Sequence, residues 1–163
     1  LIFYPKDFYE NGVKVITVDL SRELPEVKST NYILAIIAKD LAKNKGAVEA
    51  LYQNSLGEIL EGTQTNFFGF KGKTLVASEE GILKGITREI VLEIAEKEFP
   101  IKLRPIKNSE LKTLDEAFMT STTKEIMPIV KIDDIIIGNG KVGSNTKRLM
   151  ELFKTYTLSS QAY

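Results

Sequence analysis

Two of the most versatile side chains in protein chemistry are missing from the 163 residues: there is no cysteine and no histidine. Without cysteine there are no disulfides, no thiolate nucleophile and no Cys-type zinc site. Without histidine there is no Ser-His-Asp or Cys-His catalysis, no HExxH zinc site and no imidazole proton shuttle. An excess of one charge is missing as well. Lys plus Arg and Asp plus Glu each number 22, so no net field draws in nucleic acid. Long apolar runs are also lacking: nothing approaches the roughly 18 residues needed to span a bilayer, and no basic-then-apolar start suggests a signal peptide. These absences exclude nucleic-acid and membrane partners from the expectation and leave the cytoplasm as the default location. Chemistry, if any, falls to Lys, Glu, Asp, Tyr, Ser or Thr. The chain opens with Leu1 rather than Met and reads as a fragment whose amino-terminal part is missing.

What is present has the composition of an ordinary globular chain, with 43% apolar and 27% charged residues, enough for one domain spanning 1–163. Val13 to Leu20 alternates and is β-branched, as a strand requires. From about Ser29 to Lys43, Ile33, Ile36, Ile37 and Leu41 recur at helical spacing, with Ala35, Ala38 and Ala42 as small fillers. That spacing predicts an amphipathic helix whose isoleucine side is apolar. Ala47–Gln53 and Glu58–Leu60 flank the turn-like Asn54–Gly57, and Phe67–Phe70 and Thr74–Ala77 flank Lys71-Gly72-Lys73, giving two hairpins. A second amphipathic helix is predicted over Ile86–Phe99, with Ile90, Ile94 and Ala95 on its apolar side and Pro100 closing it. A strand at Ile101–Ile106, a short helix near Ser109–Lys112, a buried strand at Ala117–Thr120, a hairpin over Ile129–Ile137 and a last helix over Ser144–Tyr156 follow. Strands outnumber helices in mixed order. An α+β domain with curved sheets and peripheral helices accounts for that better than a doubly wound fold.

Several short strings carry possible chemistry. Gly138-Asn139-Gly140-Lys141-Val142-Gly143 is a literal G-x-G-x-x-G, but no second parallel strand or acidic residue about 20 positions on can follow it. It reads as a polar loop whose glycines supply positive φ before a helix. Lys28 lies between a loop and an apolar helix, a placement that could turn it into an interior where desolvation makes an amine nucleophilic; a solvated lysine is the ordinary alternative. Glu61 precedes Gly62 at the end of a hairpin arm, and the small Gly62, Thr63 and Thr65 would let a planar ligand approach; a solvated carboxylate is the ordinary alternative. Gly85-Ile86-Thr87-Arg88 opens a helix and offers free N–H groups and the positive dipole end to an anion. Thr120-Ser121-Thr122-Thr123 offers a second set of hydroxyls and amides; Thr87 as a plain helix-start residue and the Ser/Thr run as a capped turn are the ordinary alternatives. Two anion-seeking clusters with a lysine and a carboxylate suit a phosphate ester bearing an aldehyde and a basic ring nitrogen, the description of pyridoxal phosphate.

Taken in order, Lys28-x-x-Asn31-Tyr32, Glu61-Gly62-x-x-x-Asn66-Phe67, Leu83-x-Gly85-Ile86-Thr87-Arg88 and Glu116-Ala117-Phe118-x-x-Ser121-Thr122-Thr123-x-Glu125-Ile126-x-Pro128 resemble the signature of the class IV (fold-type IV) aminotransferases. The resemblance covers about Val27 to Phe153. It implies the larger domain of the D-amino-acid aminotransferase-like fold, a pseudo-barrel of curved mixed sheets with peripheral helices, and pyridoxal 5'-phosphate as cofactor. By the same resemblance, Lys28 matches the lysine that carries the cofactor and moves the substrate's α-proton. Glu61 matches the partner of the pyridine nitrogen, and Leu83 the residue packed on the ring. Ile86, Thr87, Ser121 and Thr122 match the phosphate binders. Tyr32 falls near the tyrosine that some branched-chain enzymes place on the phenolic oxygen, one residue closer to the lysine here. The implied partners are an amino acid, a 2-oxo acid and a second copy of the chain in a homodimer. The Lys-x-x-Asn spacing resembles D-amino-acid aminotransferases and aminodeoxychorismate lyases, whereas the intact Gly-Ile-Thr-Arg and Ser-Thr-Thr strings favour an aminotransferase. A family member would carry a smaller amino-terminal domain that is absent here, so a non-catalytic remnant that binds cofactor or partner chains stands as the rival from another class.

Overall fold

The computed structural model describes residues 4–160, so the opening residue on which the fragment reading rests lies outside the described residues. The elements are α1 (Lys6–Asn11), β1 (Val13–Val18), α2 (Ile33–Asn44), β2 (Glu49–Gln53), β3 (Glu58–Gly62), β4 (Asn66–Lys71), β5 (Thr74–Ala77), α3 (Ile86–Ala95), β6 (Ile101–Leu103), β7 (Ile106–Lys107), a 3-10 turn (Asn108–Thr113), β8 (Glu116–Ser121), β9 (Glu125–Ile132), β10 (Ile135–Ile136) and α4 (Ser144–Ser160). All strands join one sheet in the order β6-β5-β4-β8-β9-β1-β2-β3-β7, with β10 on β9. β3 also pairs with β4, and this closes β4-β8-β9-β1-β2-β3 into a ring of 6 strands. The closing pair is Glu61 with Asn66. β1 runs parallel to both β2 and β9, while β4, β8 and β9 are antiparallel neighbours, so the sheet is mixed and curved. The expected α+β pseudo-barrel with peripheral helices is the observed architecture.

Alternation along the strands divides the core. Val15, Leu51, Phe67, Met119 and Met127 belong to the cluster inside the ring. The outward side chains of β4, β5 and β8 (Phe68, Phe70, Leu75, Phe118) meet Val91 and Ile94 of α3 and Leu149 and Phe153 of α4. Phe68 and Phe118, cross-strand partners, stack with ring centroids 4.7 Å apart. Glu116 accepts the backbone N–H groups of Asn145 (3.0 Å) and Thr146 (2.7 Å), capping the start of α4 with a carboxylate where the helix dipole favours one.

Five expectations need correction. α2 begins at Ile33, not near Ser29, because the Asn31 side chain accepts the Ile33 N–H at 3.3 Å and offers the backbone a non-helical start. Its faces are also exchanged. Ala35, Ala38 and Ala42 are buried on β1 and β2 beside Ile16, Ala50 and Tyr52, whereas Ile33, Ile36, Ile37 and Leu41 are exposed. The small alanines let the helix axis approach the sheet closely, and that close contact decided which stripe turned inward. α3 ends at Ala95, several residues before Pro100, and its inward side chains are Thr87, Arg88, Val91, Ile94 and Ala95, with Ile90 half-buried. The expected single strand Ile101–Ile106 is split at Arg104-Pro105: β6 pairs with β5 and β7 with β3, as a residue without an N–H must interrupt a ladder. The strand of Ile129–Ile137 starts earlier, at Glu125. The G-x-G-x-x-G string is, as expected, a loop before α4 with Gly138 and Gly140 at positive φ; a Cβ at Gly138 would strike the Asp115 carbonyl.

Candidate functional site

The ring closes where four chain segments meet. In register across three strands stand Glu61 (β3), Asn66 (β4) and Thr120 (β8), all buried. The loop between β5 and α3 is clipped to this row twice: the Leu83 N–H donates to Glu61 Oε2 at 2.9 Å, and Asn66 Nδ2 donates to the Leu83 carbonyl at 2.7 Å. Leu83 is thereby fixed by its backbone while its side chain stays half-buried. Gly85 lies so close to Asn66 Oδ1 that a Cβ there would collide with it, which brings the start of α3 against the row. Ile86 is exposed and Thr87 buried at that start. No side chain caps α3, so its first N–H groups are open to an anion.

Beyond Thr120 the chain turns through Ser121, Thr122, Thr123 and Lys124 into β9. Ser121 Oγ accepts the Lys124 N–H at 3.2 Å and lies 3.5 Å from the Thr123 hydroxyl. Thr122 is exposed, and the buried Thr120 Oγ1 has no hydrogen-bond partner among the described residues.

Glu61 is 4% exposed. Burial pushes its carboxyl above the ordinary carboxylate range, and the Leu83 N–H and the Arg22 guanidinium only partly pull it back. Arg22 Nη1 sits 3.0 Å from Glu61 Oε1, and Arg22 Nη2 donates to the carbonyls of Leu24 and Val27. Arg22 therefore ties the segment that ends in Lys28 to the carboxylate. Lys28 itself is exposed, contrary to the interior placement that its position between loop and helix would allow; the helix it was to precede begins five residues later. Tyr32 is exposed too, 41% accessible and outside the row. The structure thus gathers Glu61, Leu83, Thr87 and Ser121 around one row, sets Ile86 and Thr122 at its rim, brings the Lys28 backbone near through Arg22, and leaves Tyr32 apart.

Two residues of this arrangement had no role in the sequence reading. Asn66 stood inside a quoted motif but without a task, and Arg22 sits in an unremarkable polar loop. Only the long-range bond to Glu61 distinguishes Arg22, and no local pattern encodes it. The donor set matches a phosphorylated pyridine aldehyde. A buried carboxyl with a raised pKa suits a basic ring nitrogen, an uncapped helix start with a neighbouring hydroxyl turn suits a phosphate, and a free lysine amine suits a carbonyl. Among the described residues no cluster of acidic side chains could hold a metal ion, and no helix is long and apolar enough to cross a membrane.

The structure defines an α+β domain built on a closed mixed barrel with a polar row at its strand ends. Comparison with known proteins gives the family. The profile described as amino-transferase class IV matches residues 3–132, and the chain belongs to that family. It is 39% identical over 153 residues to a Methanocaldococcus jannaschii protein assigned as a branched-chain-amino-acid aminotransferase, covering 89% of this chain and 53% of that one. It is 36% identical over 156 residues to a D-alanine aminotransferase of Staphylococcus aureus (93% and 55%). Among solved structures, the T.th. branched-chain amino acid aminotransferase with pyridoxamine 5'-phosphate superposes with a TM-score of 0.87 at 30% identity, covering 94% of this chain and 53% of that one. The chain spans about half the length of the relatives it matches.

Proposed function

We propose that this chain is the cofactor-holding domain of a pyridoxal-phosphate-dependent aminotransferase that moves an amino group between an amino acid and a 2-oxo acid, of branched-chain or D-amino-acid type. The observation that supports this most is the Glu61 carboxyl, buried and raised in pKa, in one row with the Ser121 turn and the start of α3. When bound, the cofactor supplies a carbonyl that exchanges amino groups and a ring that accepts electrons. Lys28 would hold the cofactor through its amine and would move a proton at the substrate's α-carbon. Glu61 holds a proton at the ring nitrogen, because a carboxylate that is costly to bury gains by sharing one. Leu83 packs on the ring, and Ile86, Thr87, Ser121 and Thr122 direct N–H and O–H groups at the phosphate. Tyr32 would serve the phenolic oxygen only if the segment before α2 brought it in from the exposed position that it holds here. In two half-reactions one amino acid becomes a 2-oxo acid and another 2-oxo acid becomes an amino acid, so no net redox partner is required.

The proposal includes a cytoplasmic enzyme that works as a homodimer, as the resemblance implies. Its test is the visible absorption of the protein with pyridoxal phosphate, before and after borohydride, beside Lys28→Ala. A band that becomes fixed to Lys28 on reduction, and that the variant lacks, is expected; a wild type without a Lys28-dependent band would sink the assignment. Amino transfer to a 2-oxo acid separates an aminotransferase from an aminodeoxychorismate lyase, which needs no acceptor.

A further inference from the structure

Behind the row of Glu61, Asn66 and Thr120 lies a second pair of charges that the proposed chemistry does not use. Glu49, in β2, is fully buried, and Lys124, at the end of the Ser121 turn, is 2% exposed. Lys124 Nζ stands 3.6 Å from Glu49 Oε2, which has no hydrogen-bond partner among the described residues, and 4.9 Å from the centre of the Tyr4 ring. Glu49 Oε1 accepts the Thr63 hydroxyl at 2.5 Å and the Ala50 N–H at 3.1 Å. The turn that follows Glu61 rests directly on this carboxylate, since a Cβ at Gly62 would collide with Thr65 Oγ1 and crowd Glu49 Cγ. At the other end, the Lys124 carbonyl accepts the Tyr9 hydroxyl at 3.2 Å, and the Lys124 N–H closes the Ser121 turn.

Glu49 therefore grips the turn after Glu61 with one oxygen and faces the lysine of the Ser121–Thr122 turn with the other. Burying two opposite charges costs as much desolvation as their attraction returns, and an apolar pair of similar volume holds a fold at least as well. Stability alone gives no reason for the pair, whereas its position between two ligand-facing turns does. We propose that Glu49 and Lys124 are positioning residues that set the separation of the Glu61 turn from the Ser121–Thr122 turn, so that the ring end and the phosphate end of the cofactor are gripped together. The inference rests on reading the site as a pyridoxal-phosphate site.

The discriminating measurement is the affinity of the protein for pyridoxal phosphate relative to pyridoxal, which lacks the phosphate, by absorbance titration, with melting temperatures recorded alongside. The double variant Glu49→Gln with Lys124→Met removes both charges together, leaves none buried alone, and keeps an amide oxygen for Thr63. The advantage of pyridoxal phosphate over pyridoxal is expected to fall roughly tenfold or more, in line with the effect of small misplacements far from the chemistry. Thr63→Val cuts the link at its other end with both charges still paired; it is expected to lower the same ratio and keeps the test available if the double variant does not fold. A ratio equal to wild type, with or without a lower melting temperature, would overturn the inference and leave the cofactor site standing. A wild type without a Lys28-dependent band would instead remove the cofactor reading, and this inference with it.

Discussion

The site is built from two regions of opposite construction. The wall that carries Glu61, Asn66, Leu83 and Thr120 is sheet and buried loop, held by cross-strand register and by two bonds to the Leu83 backbone. The segment that carries Lys28 is the reverse: between Asp19 and Tyr32 no residue is buried, and Arg22 supplies its attachment to the wall. On the proposed function, recognition would fall to the buried wall and reaction to the exposed segment. A wall that must hold fixed charges is best rigid, whereas an amine that must reach a cofactor and then a substrate carbon needs freedom of movement.

Substitutions on either side test whether wall and segment are as separate as they look. The largest effect is expected for Lys28→Ala, which should lower transamination by more than about a thousandfold yet leave unfolding free energy within about 0.5 kcal/mol, the usual range for an exposed site. Parallel rate and urea-denaturation measurements check this, and a large stability loss would show that the segment belongs to the wall after all. Phe118→Ala should do the opposite, costing about 3–5 kcal/mol of stability by opening a cavity beside Phe68; chemical denaturation measures it directly.

Arg22→Ala cuts the joint between the regions. It leaves the buried Glu61 carboxylate without its cation and should cost about 1–3 kcal/mol near neutral pH. The Glu61 pKa is already raised by burial, so its charging weakens the fold as pH rises through that value, and losing Arg22 raises it further. The charge-dependent part of the cost should therefore be full at neutral pH and vanish below the ordinary carboxylate value of 4.5, where Glu61 is neutral with or without Arg22, leaving only the loss of the bonds to the Leu24 and Val27 carbonyls. Denaturation at both pH values tests the sign. The smallest effect belongs to a pair outside both regions. Glu110, gripped by Arg104 at 2.8 Å on each oxygen, has its pKa held down to about 2. Its stabilisation is present above 4.5 and lost as pH falls through about 2. Because the pair is partly solvated, Glu110→Gln should cost no more than about 1 kcal/mol at pH 7 and nothing at the acid end of a thermal-melt series.

Much of this was legible along the chain because it is local. The Phe67–Phe70 and Thr74–Ala77 hairpin follows from alternation around Lys71-Gly72-Lys73, and α3 starts at the Gly85 that its motif places there. What was not legible depends on distant partners. α2 presents two stripes at helical spacing, alanine and isoleucine, and only the closeness of β1 and β2 selects the alanines. Lys124, set between Thr123 and Glu125, has the look of a solvated turn residue; Tyr4 and Glu49, far away in sequence, make it an interior one. Arg22 is invisible for the same reason.

The closure of the ring carries one more consequence. β8 and β9 are joined by a ladder from Ala117–Ile129 to Ser121–Glu125, but β3 meets β4 at the single pair Glu61–Asn66, followed by the bond from the Gly62 N–H to the Thr65 carbonyl at 2.7 Å. Mechanically the barrel is a hoop with a short weld, and the weld lies where a ligand would rest. A molecule seated on Glu61 would touch both strands at that weld and would be expected to hold it shut. Slowed exchange of the Gly62 amide hydrogen with solvent would record when the weld is shut.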